Sequence, residues 1–336
     1  MRQRPSVTDV ASVAGVSVGT VSNVLNRPDR VSGPTRARVE KAIADLGFVP
    51  SASARQLRAG VAQSVGAIVL DLANPFFTSV MRGIEDRLAE ESLALMVSST
   101  DDDPARETHF LRMYEQHEVR GILVTPVGTD HSELAAVRDR GTRVVLMDSD
   151  GDSAFPGVSV DDAHGGHLAV AHLLDLGRRR ITFLNGPSTI RQCLDRLTGA
   201  RRAVVDAGLN PDEVLTERVL PALNADAGEA AAHALLALPR SERPDAVFCV
   251  NDLVALGVLR TLLRAGVEVP QRIPVVGYDD IGFASMLMVP LTTIRQPTHQ
   301  IGWSAADLLL RPQPESLAQV RFSPELVVRA SSVAAG

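Results

Sequence analysis

The chain has 336 residues, too many for one small core and suited to two or three domains. Its 45% hydrophobic and 22% charged residues exclude a disordered polymer. No apolar run long enough for a membrane span or a secretory signal occurs, so a cytoplasmic location is expected. The net charge of −6 argues against a nucleic-acid partner until it is divided: residues 1–60 carry +5 and the remainder −11. A basic head on an acidic body is the asymmetry expected when one end meets phosphates.

Three short helices are predicted in the first 48 residues. Ser6-Val7-Thr8-Asp9 has capping-box form, and the helix that follows, Thr8–Ala14, ends at Gly15, which can take a left-handed turn. Ser17 caps a second helix, Val18–Leu25, with Val21, Val24 and Leu25 on one face. Ser32 caps a third, with Pro34 in its first turn, Val39, Ile43 and Leu46 along one stripe, and Gly47 closing it. Two short helices joined by Gly15-Val16 make a helix-turn-helix whose second helix is free to enter a major groove. Residues 49–60, VPSASARQLRAG, are short, small and polar, and on composition alone read equally as an inert linker.

From Val65 the period changes. VGAIVL (65–70), GILVT (121–125), RVVLM (143–147), ITFLN (181–185), AVFCV (246–250) and IPVVGY (273–278) alternate with helical stretches. Continuous β-branched runs between helices indicate parallel strands buried on both faces, hence an α/β body of two doubly wound lobes. Ligands bind beyond the carboxyl ends of such strands, which directs attention to Asp71, Thr125, Asp148, Asn185, Asn251 and Asp279.

Other chemistries fit poorly. Gly15-Val16-Ser17-Val18-Gly19 matches the G-x-S-x-G nucleophile elbow, but that motif needs a preceding strand and here a helix precedes. His164, His167 and His172 lack a ligating spacing, and Asp101-Asp102-Asp103 reads as a solvated run before a helix begun by Pro104. Cys193 and Cys249 form no disulfide framework or metal motif. DLANPFF stands where a dinucleotide fold would place G-x-G-x-x-G. No catalytic residue, metal or cofactor is therefore expected.

Taken together, TDVASVAGVSVGTVSNVLN (8–26), VSGPTRARVEKAIADLGFVP (31–50), ARQLRAG (54–60), VGAIVLDLANPFF (65–77), VRGILVTP (119–126), DRLTGAR (195–201), CVNDLVALG (249–257), VPQRIPVVGYDD (269–280) and LTTIRQP (291–297) resemble the LacI (lactose and galactose repressor) family, in its order and over nearly the whole chain. The resemblance implies an all-α helix-turn-helix headpiece at 1–48, a hinge at 49–60 and an effector-binding and dimerisation body at 61–336 similar to periplasmic sugar-binding proteins. The lobes are expected to be linked by two crossovers, one lobe built from 61–160 and about 291–322, the other from 161–290 and 323–336.

It further implies a homodimer on a pseudo-palindromic double-stranded DNA operator, with no leucine-heptad tail after RASSVAAG to make a tetramer. DNA contacts are expected from Ser17, Val18, Gly19, Thr20, Ser22, Asn23 and Asn26, with Arg55 and a minor-groove wedge, Leu57, from the hinge. Val18 can touch a thymine methyl and Asn23 can pair with adenine, whereas Gly19 offers no side chain.

Effector contacts are expected from Phe76, Phe77, Thr125, Ser149, Asp161, Arg196, Leu223, Asn251 and Asp279. Paired donors and acceptors beside an aromatic face suit a sugar or polyol. Two plainer roles stand beside this set: a strand-end cap for Asp279 and an interlobe ion pair for Arg196. A periplasmic transport protein would share the body but needs a secretory signal and has no use for a basic head.

Overall fold

In the computed structural model, which describes residues 5–48, 62–149, 154–312 and 318–334, the chain divides into two units, residues 1–62 and 63–336. Arg55 and Leu57 lie outside the described residues.

The first unit holds α1 (Val7–Ala14), α2 (Val18–Asn26), a single 3₁₀ turn and α3 (Gly33–Leu46). The capping box forms as expected: the Asp9 carboxylate accepts from the Ser6 backbone N–H at 2.7 Å, and Ser6 Oγ accepts from the Asp9 N–H at 3.3 Å. Gly15 takes φ +63° and turns the chain into α2, whose cap Ser17 accepts from the Thr20 N–H at 3.1 Å. Ser32 sits at the cap position of α3 but makes no capping bond; its hydroxyl donates to Thr35 Oγ1 at 3.0 Å instead. Val10, Val21 and Val39, one from each helix, are fully buried and knit the three together.

The second unit contains two six-stranded sheets. The first has the order β11-β5-β4-β3-β1-β2, all parallel, from β1 (Ser64–Val69), β2 (Ala94–Ser99), β3 (Ile122–Val124), β4 (Val144–Met147), β5 (Gly157–Val160) and β11 (Gln319–Phe322). The second runs β12-β10-β9-β8-β6-β7, from β6 (Ile181–Asn185), β7 (Leu215–Val219), β8 (Ala246–Cys249), β9 (Val275–Asp279), β10 (Thr292–Arg295) and β12 (Glu325–Val327). Only its edge strand β12 is antiparallel. Every strand expected from a continuous apolar run is present, because each is sandwiched between helices and buried on both faces.

Helices α4 (Pro75–Ala89), α5 (Pro104–Gln116), α6 (Ser132–Asp139) and α12 (Thr298–Leu310) serve the first sheet. Helices α7 (Asp162–Asp175), α8 (Arg191–Asp206), the one-turn α9 (Pro211–Val214), α10 (Ala225–Ala237) and α11 (Asp252–Arg264) serve the second. The chain passes between the lobes three times, after β5, β10 and β11, rather than twice. The middle passage falls after Arg295 and not near 291, because Thr292–Arg295 pair with β9. No helix among the described residues is long and apolar enough to cross a membrane.

Two helices of the second lobe approach closely through glycine. Helices α7 and α8 meet through Gly166 and Gly199, and a Cβ at Gly199 would lie 1.7 Å from the carbonyl oxygen of Ala163. That contact is backbone against side chain and cannot yield by a rotamer change. Gly199→Ala is expected to lower stability by about 1–3 kcal/mol, seen as a lower denaturant midpoint with unchanged slope. An unchanged midpoint would mean that the pair separates without cost.

Candidate functional site

In the headpiece, α2 buries Val21 and Val24 and turns the opposite face to solvent. Ser17, Val18, Gly19, Asn23 and Asn26 are exposed, with Thr20 and Ser22 half-buried beside them. The Asn26 amide is engaged locally, donating to the Ser22 carbonyl at 2.7 Å. The Asn23 side chain has no intramolecular partner among the described residues, so both its donor and its acceptor remain available. A Cβ at Gly19 would meet nothing nearer than Ser17 Oγ at 3.7 Å, so the fold of the headpiece does not require glycine there. Ser17 Oγ is occupied as the helix cap and by a 2.9 Å contact with Thr20 Oγ1.

In the body, the carboxyl ends of both sheets face a cleft of about 410 Å³. Of the expected contacts, Phe76, Phe77, Arg196, Leu223, Asn251 and Asp279 line it. Asn74 ends the segment after β1 and caps α4, its Oδ1 accepting from the Phe76 N–H at 2.9 Å. Pro75 then starts the helix, which packs Phe76 and Phe77 edge to face with centroids 5.0 Å apart. Asn251 caps α11 through the Val254 N–H and spends its amide on the Leu223 carbonyl, both at 2.9 Å, so it holds the 221–224 turn against the cleft.

Arg196 is nearly fully buried. Its Nε donates to Asp162 Oδ1 at 2.7 Å and its Nη1 to the Val250 carbonyl at 2.6 Å, while its guanidinium lies 3.6 Å from the centroid of the Tyr278 ring. Asp162 opens α7 and Arg196 lies on α8, so the ion pair forms within the second lobe and not between lobes. Burial opposes the charge on Arg196, but Asp162, with Tyr278, Asp279 and Asp148, outweighs it and keeps the guanidinium firmly protonated. Nη2 has no hydrogen-bond partner among the described residues.

Asp279 closes β9 at φ +111°, an unusual conformation for a residue with a side chain. Its Oδ1 accepts from Gln296 Nε2 at 2.8 Å. Burial pushes its carboxyl up to about 6, and Arg196, Gln296 and Asn74 keep it from rising further. Asp280, not Asp279, takes the anchoring role at this strand end, pairing with Arg295 at 2.6 Å and Arg329 at 2.7 Å.

Thr125, Ser149 and Asp161 do not line the cleft. Thr125 is buried at the end of β3, its N–H donating to the Ile68 carbonyl at 2.9 Å. The Ser149 N–H reaches the Val158 carbonyl at 3.4 Å. Asp161 caps α7 by accepting from the His164 N–H at 2.9 Å and pairs with Arg321 at 3.0 Å. His167 contacts Asp206 and His172 contacts Ser332.

The cleft also contains residues that were not in the expected set: Asn74, Asp148, Gln192 and Gln296. Gln192 reaches from α8 across the lobes to donate to Asp148 Oδ2 at 3.0 Å, and also to the Asp148 carbonyl. Asp148 was visible in the sequence as a strand end; for Asn74 the available signal was its place directly before Pro75, the pattern of a helix start. Gln192 carries no such signal, because it belongs to the first turn of a helix.

Residues 6–51 match the family model for bacterial regulatory proteins of the lacI family, and residues 170–332 match a periplasmic binding protein-like domain. The chain is 37% identical over 336 residues to the ribose operon repressor of Escherichia coli K12, covering 97% of this chain and 99% of that one. It is 33% identical over 334 residues to the HTH-type transcriptional repressor PurR of Aliivibrio fischeri, covering 97% and 98%. Its fold matches the lac repressor dimer bound to operator and the anti-inducer ONPF with a TM-score of 0.82, 26% identity and 98% and 100% coverage. A LacI family regulator of Enterococcus faecium with bound ribose matches with a TM-score of 0.73 at 26% identity, over 81% of this chain and all of that one. With identity above 30% sustained along nearly its full length, the chain belongs to the LacI family of bacterial transcriptional regulators.

Proposed function

We propose that the protein is a homodimeric repressor that binds a pseudo-palindromic DNA operator through its headpiece and is switched by a sugar or polyol held in the cleft of its body. The observation that carries this reading is the convergence of Arg196, Asn251 and Asp279 with the Phe76 ring at the carboxyl ends of two facing sheets. Hydroxyls on a ring need matched donors and acceptors together with an apolar face, and this set supplies them. The ribose-bound relative and the operator-bound lac repressor dimer support ligand class and assembly.

On DNA, Val18 and Asn23 read base edges from α2, Ser17, Thr20, Ser22 and Asn26 flank them, and from the hinge Arg55 contacts DNA while Leu57 wedges into the minor groove. The effector prefers one arrangement of the lobes and shifts the population toward it, changing DNA affinity by a coupling of about 1–3 kcal/mol. The protein has no catalytic role and works in the cytoplasm, where its DNA is.

DNA titration at graded salt tests the assignment of the headpiece. The full chain is expected to lose affinity steeply as salt rises, since basic side chains release counterions from phosphate, and residues 63–336 alone are expected not to bind. Comparable binding by the isolated body would refute the assignment.

A further inference from the structure

Three chain crossovers join the lobes, and a side-chain link spans the cleft away from them. Gln192, in the first turn of α8, donates from Nε2 to Asp148 Oδ2 at 3.0 Å and also to the Asp148 carbonyl. Asp148 directly follows β4, in the other lobe. Both residues line the cleft, and they are only 9% and 7% exposed, so water competes poorly for these bonds. Gln296–Asp279 and Arg321–Asp161 also join the lobes, but each includes a residue at a crossover, where a hinge motion changes separations least.

The backbone at Asp148 is unusual. It stands at φ +49°, a left-handed conformation that residues with side chains rarely adopt, and one amide meets both its main-chain carbonyl and its carboxylate. Strain of this kind persists where the surroundings hold it, and it gathers at clamps and switch regions. On α8, one turn separates Gln192 from Arg196, and both line the cleft.

A bond between the lobes survives in only some of their arrangements. Bringing Gln192 within reach of Asp148 also sets how closely Arg196 and Leu223 of one wall approach Asn74 and Phe76 of the other. A ligand that touches both walls gains most in that arrangement, so the bond and the ligand favour the same one. A hydrogen bond present in one arrangement and absent from the other biases their populations by about two- to tenfold.

We infer that Gln192 is a positioning residue whose amide holds the lobes in the arrangement the effector selects, and so sets the resting balance of the switch. The inference rests on the effector-switched reading above and adds a built-in bias to it.

Operator titration and calorimetry on the full chain test it with Gln192→Leu, which removes the donor at similar size. The duplex is one selected from a random pool by the native chain. The probe is whichever of ribose and the aldohexoses raises the unfolding temperature of the native chain most. Without sugar, Gln192→Leu is expected to shift operator affinity by about two- to tenfold in the direction opposite to the sugar's own effect. The sugar dissociation constant should rise by a similar factor, because less of the protein rests in the arrangement that binds. Saturating sugar should bring the variant to the operator affinity of the sugar-saturated native chain. Gln192→Met takes the place of Gln192→Leu if that variant does not fold, and failure of both to fold would overturn the inference. A weaker sugar affinity with unmoved sugar-free operator affinity would make Gln192 a ligand contact alone and overturn it too, as would a shift in the sugar's direction. No sugar binding to the native chain, or bound sugar without effect on its operator affinity, would overturn the effector-switched reading and the inference with it.

Discussion

Asp279→Ala is expected to raise the effector dissociation constant by about 30-fold or more, because removing one member of a buried, charge-assisted set leaves its partners unpaired at a cost of about 2–3 kcal/mol. Gln296 Nε2 loses its acceptor and the ligand hydroxyls lose theirs. DNA affinity without effector should remain near that of the native chain, since α1, α2 and α3 are untouched. The ionised carboxylate accepts at both oxygens, whereas protonation turns one of them into a donor, and burial pushes the carboxyl up to about 6. Effector affinity of the native protein should therefore be level above about pH 7 and fall below pH 6, by up to about tenfold per unit. The Asp279→Ala variant should show a flatter profile. Calorimetry across pH reads both effects. Unchanged affinity in folded Asp279→Ala would reduce the side chain to a backbone support.

Arg196→Ala should have the largest effect on stability. The guanidinium is sandwiched between Asp162 and the Tyr278 ring, and its removal strands a buried carboxylate. Losing one partner of such a pair costs about 3–5 kcal/mol. Chemical denaturation should show a body transition displaced by that amount, and Asp162→Asn in the same background should recover part of it. A wild-type transition in Arg196→Ala would show that water replaces the guanidinium freely. The two variants thus separate two proposed roles on one cleft wall: ligand binding at Asp279 and, at Arg196, support of the fold through Asp162 and Tyr278.

The headpiece was legible in the sequence because its signals are local. Ser6 with Asp9, Gly15 and Ser17 each act within one turn of chain, and their bonds form as read. Ser32 is the exception, since Thr35 three residues on competes for its hydroxyl. In the body, continuous apolar runs revealed β1, β3, β4, β6, β8 and β9. The edge strands β7 and β11 carry no such run: in β7, Thr216, Glu217 and Val219 face solvent, and β11 alternates exposed and half-buried residues, whereas β2 has one, Leu93–Val97, and still escaped. The position of the second crossover was misjudged for a related reason. Thr292 and Thr293 are fully buried in β10, yet a threonine pair reads equally as loop until Ser331, Ser332 and Asp252 are seen to satisfy the hydroxyls and backbone. Among the effector residues, the lobe-two members Arg196, Leu223, Asn251 and Asp279 line the cleft. Thr125, Ser149 and Asp161 lie at strand or helix ends outside the cleft lining; Thr125 is buried, and the Asp161 carboxylate is engaged with the His164 N–H and Arg321. Gln192 and Gln296 were invisible because their roles come from contacts distant in sequence, across the lobes to Asp148 and between neighbouring strand ends to Asp279, which no local pattern encodes.

Coupling between the cleft and DNA is the central claim, and it is measured most directly by titrating labelled operator with the full chain, with and without a saturating sugar that stabilises the protein. The native protein is predicted to change its operator affinity by about 5–150-fold when the ligand is added, and Asp279→Ala to need about 30-fold more ligand for the same change. Superimposable isotherms for the native protein with and without bound ligand would contradict the account.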